Sequence, residues 1–291
     1  MPLTTAQAMA AFLADWVTPT EKQQADVSVK RQSAAGYIAE AFPQSSDLPM
    51  RRVILIGSAA RGTLIRPVDD IDVMAEFINK DRVFEKYRNN STAFLQRIRS
   101  ALNAKTAIKE IGARGQAVRL FYVNGPHVDI APVFKWSQAG YALPSGDGGW
   151  MTTDPEAQAA WFIQRKAQVG EALTGVIKLL KRWNAVHSKR MQSYHLEISV
   201  SKTFSAVGTD YRAALEKYFE WAPRNLDVED PAGHSGMLSS YLTRAAREAL
   251  VNRFEEAAQR ANRAIEAEAS GNHPEAKRLW RVELGDEFPT G

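Results

Sequence analysis

Apolar positions recur at helical spacing over residues 4–16, where Ala8, Phe12, Leu13 and Trp16 share a face. They recur again over residues 20–42, where Thr20 and Glu21 mark a start and Phe42-Pro43 a stop. The period then shortens. Arg52 to Ile56 is a β-rich apolar run that enters Gly57-Ser58, and after a loop around Pro67 a second strand runs from Asp69 to Phe77. Residues 80–103 return to helical spacing, with Phe84, Tyr87, Phe94, Leu95, Ile98 and Leu102 as the buried stripe. Lys109 to Tyr122 reads as one or two strands broken between Gly112 and Gly115. Asn124-Gly125 between alternating runs is a hairpin signal leading into His127 to Phe134.

Residues 137–153 are rich in Gly, Ser, Asp and Pro and read as a loop over a cleft. Beyond them the pattern is helical nearly to the end. Asp154 caps and Pro155 opens a helix, or a kinked pair, reaching Val186. Ser193 stands where the cap of the next helix belongs, and further helices span Asp210 to Trp221, Leu238 to Ala269 and Pro274 to Leu284. The expected architecture is α+β. Residues 1–150 form a core with a mixed sheet and bracing N-terminal helices, residues 151–291 form a helical lobe, and substrates sit in the cleft between them.

Composition narrows the class. A chain of 291 residues with 45% hydrophobic residues can bury a large core, and the absence of cysteine excludes disulfides and Cys-based zinc sites. No apolar run approaches the roughly 18 residues of a membrane span, and Met-Pro-Leu-Thr-Thr-Ala-Gln lacks the layout of a secretory signal. A soluble cytoplasmic protein is expected. The net charge of +4 comes without a block of like charges, so there is no strong nucleic-acid signature, though polyphosphate substrates fit.

The chemistry concentrates between Arg52 and Phe77. Residues i and i+2 of a strand point to one face, so Asp70 and Asp72 project together while Ile71 turns inward. Two converging carboxylates repel unless a cation sits between them, and hard oxygen donors on a rigid strand suit Mg²⁺. Just upstream, Gly57 and Ser58 offer close backbone approach and a hydroxyl to a phosphate. In the later strand Val128, Ile130 and Pro132 share one face and His127, Asp129 and Ala131 the other, which makes Asp129 the natural third carboxylate. Alone, an Asp-x-Asp is a solvated strand end and a Gly-Ser a turn. In the order strand, Gly-Ser turn, Asp-x-Asp strand they read as nucleotidyl transfer.

Gly57-Ser58, Asp70-x-Asp72 and Val128-Asp129-Ile130 together resemble the polymerase-β-type nucleotidyltransferase superfamily. Leu179 to Asn184, followed by Ser193-Tyr194-His195-Leu196-Glu197, is similar to the helical half of cyclic GMP-AMP synthase, oligoadenylate synthase and their bacterial relatives, the CD-NTases. The resemblance spans residues 35 to 291. It implies two Mg²⁺ ions, for which Mn²⁺ can stand in, held by Asp70, Asp72 and Asp129 as both metal ligands and catalytic residues. It also implies a donor triphosphate bonded by Ser58 and Ser193, with Lys181 on its β/γ-phosphates and Tyr194 stacked on its base. His195 is expected to be structural.

The implied activity joins NTPs, ATP among them, into a cyclic di- or trinucleotide with release of pyrophosphate. That product would act as an anti-phage second messenger read by a downstream effector. A transferase making linear products or tailing RNA is the alternative, and a non-catalytic nucleotide-binding protein a further one. The terminal Gly291 matches the end through which some such synthases are joined to other molecules by an E1/E2-like partner.

Overall fold

The computed structural model describes residues 3–103, 108–136 and 140–290, so the terminal Gly291 lies outside the described residues. Contacts divide the chain into a sheet unit, Thr20–Arg61 with Pro67–Ala159, and a helical unit, Met1–Pro19 with Gly62–Arg66 and Ala160–Gly291. This division differs from a single break after residue 150. The first helix, α1 (Thr5–Phe12), groups with the helical unit because Ala8, Met9 and Phe12 bury themselves in that unit's core. The short segment Gly62–Arg66 groups there too. Ile65 packs on the same core, and Arg66 donates from its backbone to Val17 and from Nε to the Thr18 carbonyl at 2.5 Å.

The sheet unit holds β1 (Met50–Leu55), β2 (Asp70–Phe77), β3 (Ile108–Arg114), β4 (Ala117–Tyr122), β5 (His127–Lys135), β6 (Tyr141–Pro144) and β7 (Trp150–Thr153). Their order is β1-β2-β5-β4-β3, with β6 paired to β5 and β7 to β6. β2 and β5 run parallel and all other pairs antiparallel, so the sheet is mixed. Helices α2 (Glu21–Ala41) and α4 (Ser91–Leu102) belong to this unit, α2 opened by a capping box in which Thr20 and Gln23 exchange hydrogen bonds. A cluster of rings fills one side of its core: Phe94 lies 5.6 Å from Phe77, 4.8 Å from Phe134 and 5.6 Å from Trp150. Burying each such ring stabilises the fold by about 1.5–3 kcal/mol.

Three local readings change. Residues 80–103 are two elements, a 3₁₀ stretch Lys80–Lys86 and α4, because Asp81 and Arg82 take positive φ and Asn90 caps a fresh helix by accepting from the Ala93 amide. The break expected across Gly112 to Gly115 narrows to its Gly115 end, where a φ of +61° suits the tight turn between β3 and β4. Part of 137–153 is the β6–β7 hairpin rather than loop. Tyr141 and Leu143 are buried there, packing on Met74 and Val133.

The helical unit also holds α6 (Leu173–Val186), α7 (Ser193–Thr203), α8 (Tyr211–Trp221), α9 (Arg244–Ala269) and α10 (His273–Leu284). The helix α5 (Pro155–Val169), capped by Asp154 accepting from the Ala157 amide at 2.9 Å, enters it from residue 160. Gly170, at φ +118°, ends α5 and separates it from α6. The core is built on Trp183 of α6, stacked at 4.9 Å on Phe254 of α9. α9 starts at Arg244, not Leu238, because Thr243 supplies its cap to the Ala246 amide.

Candidate active site

Asp70 and Asp72 open β2, and the alternation holds: Ile71 and Val73 are fully buried while the two carboxylates lie on the other face. The parallel register sets Asp72 directly beside Asp129 of β5 and Asp70 beside His127. Asp129 shares its face with half-buried neighbours, with Val128 and Ile130 turned into the core. All three carboxylates therefore meet on one face of two adjacent strands.

The Gly57-Ser58 turn is fixed to the same strand. The Ile56 amide donates to the Asp72 carbonyl at 3.0 Å, and α3 (Gly57–Ala60), a single turn, follows. Gly57 has φ +60°, and a Cβ there would collide with the Asp72 carboxylate. Glycine is required twice over, by its backbone conformation and by the carboxylate packed against it. Ser58 follows, half-buried beside that carboxylate's strand.

The electrostatics are those of a cluster short of positive charge. The Asp72 side chain reaches solvent, yet protein atoms surround it closely enough that burial is the first cause of a pKa raised to about 6. The charges of Asp70 and Asp129 raise it further, and those of Arg61 and Arg119 oppose the rise. Arg119, on β4 and in register opposite Asp129, donates from Nε to Oδ1 of Asp129 at 2.6 Å and from Nη2 to its other oxygen. The same Nη2 lies 3.6 Å from Oδ2 of Asp70. Among the described residues no three acidic or histidine side chains are already closed around one point as a finished metal centre. The donor set nonetheless fits a hard divalent cation: three carboxylates on rigid strands, one of them with a pKa raised to about 6 by burial and by the charges of the other two.

Lys181, Ser193 and Tyr194 belong to the helical unit. Lys181 is buried on α6, ion-paired with the fully buried Glu197 of α7, and its Nζ donates to the Thr63 carbonyl at 3.2 Å. Thr63 in turn donates to Oε1 of Glu197 at 2.9 Å. The charge expected on a triphosphate is thus committed inside the protein.

Ser193 is the first residue of α7 rather than its cap. Gln192 takes the capping position in extended conformation, without a side-chain bond to the helix. The Tyr194 hydroxyl donates to Oδ1 of Asp230 at 2.7 Å. His195 is buried, with Nε2 bonded to the Leu226 carbonyl at 2.8 Å and Nδ1 to the Tyr241 hydroxyl at 3.0 Å. Burial lowers its pKa, as a structural imidazole requires. Arg119 is the site residue that the sequence reading missed. Its signal was present, since an Arg two residues into an alternating strand, opposite an Asp across an Asn-Gly hairpin, faces that Asp once the register is counted.

A Gly-Ser turn, an Asp-x-Asp strand and a third Asp on its parallel neighbour, carried by a mixed sheet, define a nucleotidyltransferase. The chain belongs to the Second Messenger Oligonucleotide or Dinucleotide Synthetase (SMODS) family, whose domain matches residues 3–166. It is an enzyme of the bacterial CD-NTase group, the cyclic oligonucleotide synthases. It is 27% identical to a probable cyclic nucleotide synthase of Bacillus cereus over 82% of this chain and 83% of that one. It is 25% identical to the cyclic AMP-AMP-AMP synthase of Escherichia coli over 64% and 60% of the two chains. The fold is that of Escherichia coli CdnC solved with ATP, at a TM-score of 0.80, 18% identity and 99% of both chains. Vibrio cholerae DncV, a cyclic AMP-GMP synthase solved with the linear intermediate pppA(3′,5′)pG, shares it at a TM-score of 0.79, 14% identity and 98% and 97% of the chains. Among the described residues no helix is long and apolar enough to cross a membrane.

Proposed function

We propose that this enzyme joins nucleoside triphosphates, ATP among them, into a cyclic di- or trinucleotide with release of pyrophosphate. Its product would act as a second messenger in bacterial defence against phage, made in the cytoplasm and read by a downstream effector. The observation that carries this reading is the register that sets Asp72 beside Asp129, with Asp70 two residues away and Gly57 packed on the Asp72 carboxylate.

Asp70, Asp72 and Asp129 would hold Mg²⁺, two ions in the full site, with Mn²⁺ able to replace it. Bound there, the metal lowers the pKa of the attacking ribose hydroxyl and neutralises charge on the leaving pyrophosphate. The chain's own groups do the rest by position, since phosphoryl transfer needs alignment and charge stabilisation more than covalent help. Gly57 lets the backbone approach a phosphate, and the Ser58 hydroxyl donates to a phosphate oxygen. Asp72 gives up its proton as positive charge arrives, so metal uptake below about pH 6 is accompanied by proton release. For Ser193 and Tyr194 the proposal keeps the triphosphate bond and the stacked base that the resemblance implies. The tie from the Tyr194 hydroxyl to Asp230 supports a fixed ring plane. For Lys181 the buried pair with Glu197 supports a holding role.

Mass analysis of a phosphatase-treated reaction with all four NTPs and Mg²⁺ tests the reading. A phosphatase-resistant cyclic product, absent from Asp70→Asn/Asp72→Asn, is expected. Linear oligonucleotides, or tailing of added RNA, would move the enzyme to the transferase alternative.

A further inference from the structure

Besides Arg61, whose charge reaches Asp72, the carboxylate cluster already has a cation in direct contact, the Arg119 guanidinium. It sits on β4, one strand beyond β5, and the antiparallel register places it opposite Asp129. Both oxygens of Asp129 accept from it in the two-pronged geometry that makes Arg–carboxylate pairs strong, and its Nη2 also approaches Asp70 at 3.6 Å. Its field reaches Asp72 as well, where it counters the repulsion from Asp70 and Asp129. One side chain thus addresses all three carboxylates. The contact is only partly screened, with the Asp129 side chain 18% exposed and that of Arg119 38%.

We propose that Arg119 is a resident counter-cation that competes with the divalent metal for Asp129 and Asp70, and so sets the metal concentration at which the site assembles. This inference rests on the metal-dependent reading of the site given above. Three carboxylates with no positive charge would repel one another and loosen the strands that carry them. The guanidinium holds them in register until the metal arrives. The metal then has to break a charge-assisted, two-pronged contact to gain the Asp129 oxygens, and apparent metal affinity is reduced by that amount. Because a guanidinium does not deprotonate at physiological pH, the competition cannot be relieved by titration of Arg119. It is relieved by the metal's own positive charge, whether the ion arrives free or carried by a triphosphate.

Mn²⁺ binding to the full-length protein without nucleotide, followed by electron paramagnetic resonance, tests this directly. Arg119→Gln removes the competitor and Arg119→Lys keeps the charge without the fork. Unfolding temperatures in EDTA identify any variant that fails to fold. Arg119→Gln is expected to bind Mn²⁺ roughly tenfold more tightly than wild type or better, since even one of the two charge-assisted bonds it removes accounts for that order. Arg119→Lys should fall between the two. In EDTA Arg119→Gln should melt below wild type, and saturating Mn²⁺ should raise its melting temperature by more than it raises that of wild type.

Equal or weaker Mn²⁺ binding by a folded Arg119→Gln overturns the proposal. Weaker binding would make Arg119 an orienting partner of Asp129 instead. Absence of Mn²⁺ binding in wild type and both variants would overturn the metal reading of the site itself, and this inference with it. The two failures are therefore distinguishable.

Discussion

Lys181 and Glu197 carry opposite charges into a place where neither could stand alone. Their side chains are 6% and 0% exposed, and Thr63 completes the set by accepting from the ammonium and donating to the carboxylate. Breaking a buried pair from one side leaves an uncompensated charge and costs about 3–5 kcal/mol, whereas replacing both partners with apolar residues is close to neutral. Lys181→Met and Glu197→Gln should each lower the urea midpoint strongly. Lys181→Met/Glu197→Leu should recover most of the loss. Additive losses in the double variant would show that the two side chains act separately.

At this scale the sequence was readable wherever chemistry depends on neighbours a few residues apart. Asp70 and Asp72 follow from strand alternation, and Asp129 from the alternation of its own strand. Lys181 was not readable, because its partner lies sixteen residues on, across a turn and on another helix, and no local pattern pairs them. Arg119 needed a register, which the sequence supplies only once the hairpin turn is located.

Among the elements, α7 depends on the turn that follows Val228. Asp230 accepts from the Tyr194 hydroxyl and from the backbone amides of Ala232, His234 and Ser235, and is buried in doing so. Burial opposes its charge, but the Tyr194 hydroxyl and the three amides outweigh it and hold the carboxyl below its ordinary pKa. The sign follows from that direction. A carboxylate with a depressed folded pKa adds stability that is complete above its unfolded value of about 3.9. That stability is lost as the pH falls through the lower folded value. The gap in melting temperature between wild type and Asp230→Asn should be widest near pH 7 and should close toward pH 3. A gap that does not change with pH would assign the effect to shape instead of charge.

Helix ends were legible where a cap or glycine stood in the right place, as at Thr20, Asp154 and Asp210. They were misplaced where the cap is unconventional, as at Gln192, or where a positive φ interrupts the period, as at Asp81 and Arg82. The β6–β7 hairpin hid in a Gly- and Ser-rich stretch, because four-residue strands give alternation too few positions to register.

For the whole molecule, the α+β class followed from the order of periods along the chain, two helices, then mostly strands, then helices to the end. The division into units did not. It depends on α1 and on Gly62–Arg66, whose contacts with the helical core are long-range in sequence. On the proposed function, Asp70, Asp72 and Asp129 on two adjacent strands carry the nucleotidyl transfer. Pyrophosphate release by the full chain in the presence of all four NTPs and Mg²⁺, measured beside Asp72→Asn, tests it most directly. Release by wild type that falls by roughly a hundredfold or more in Asp72→Asn is the predicted result, since losing one electrostatic stabiliser of the transition state costs on that order. Equal release from both proteins, or none from either, would contradict it.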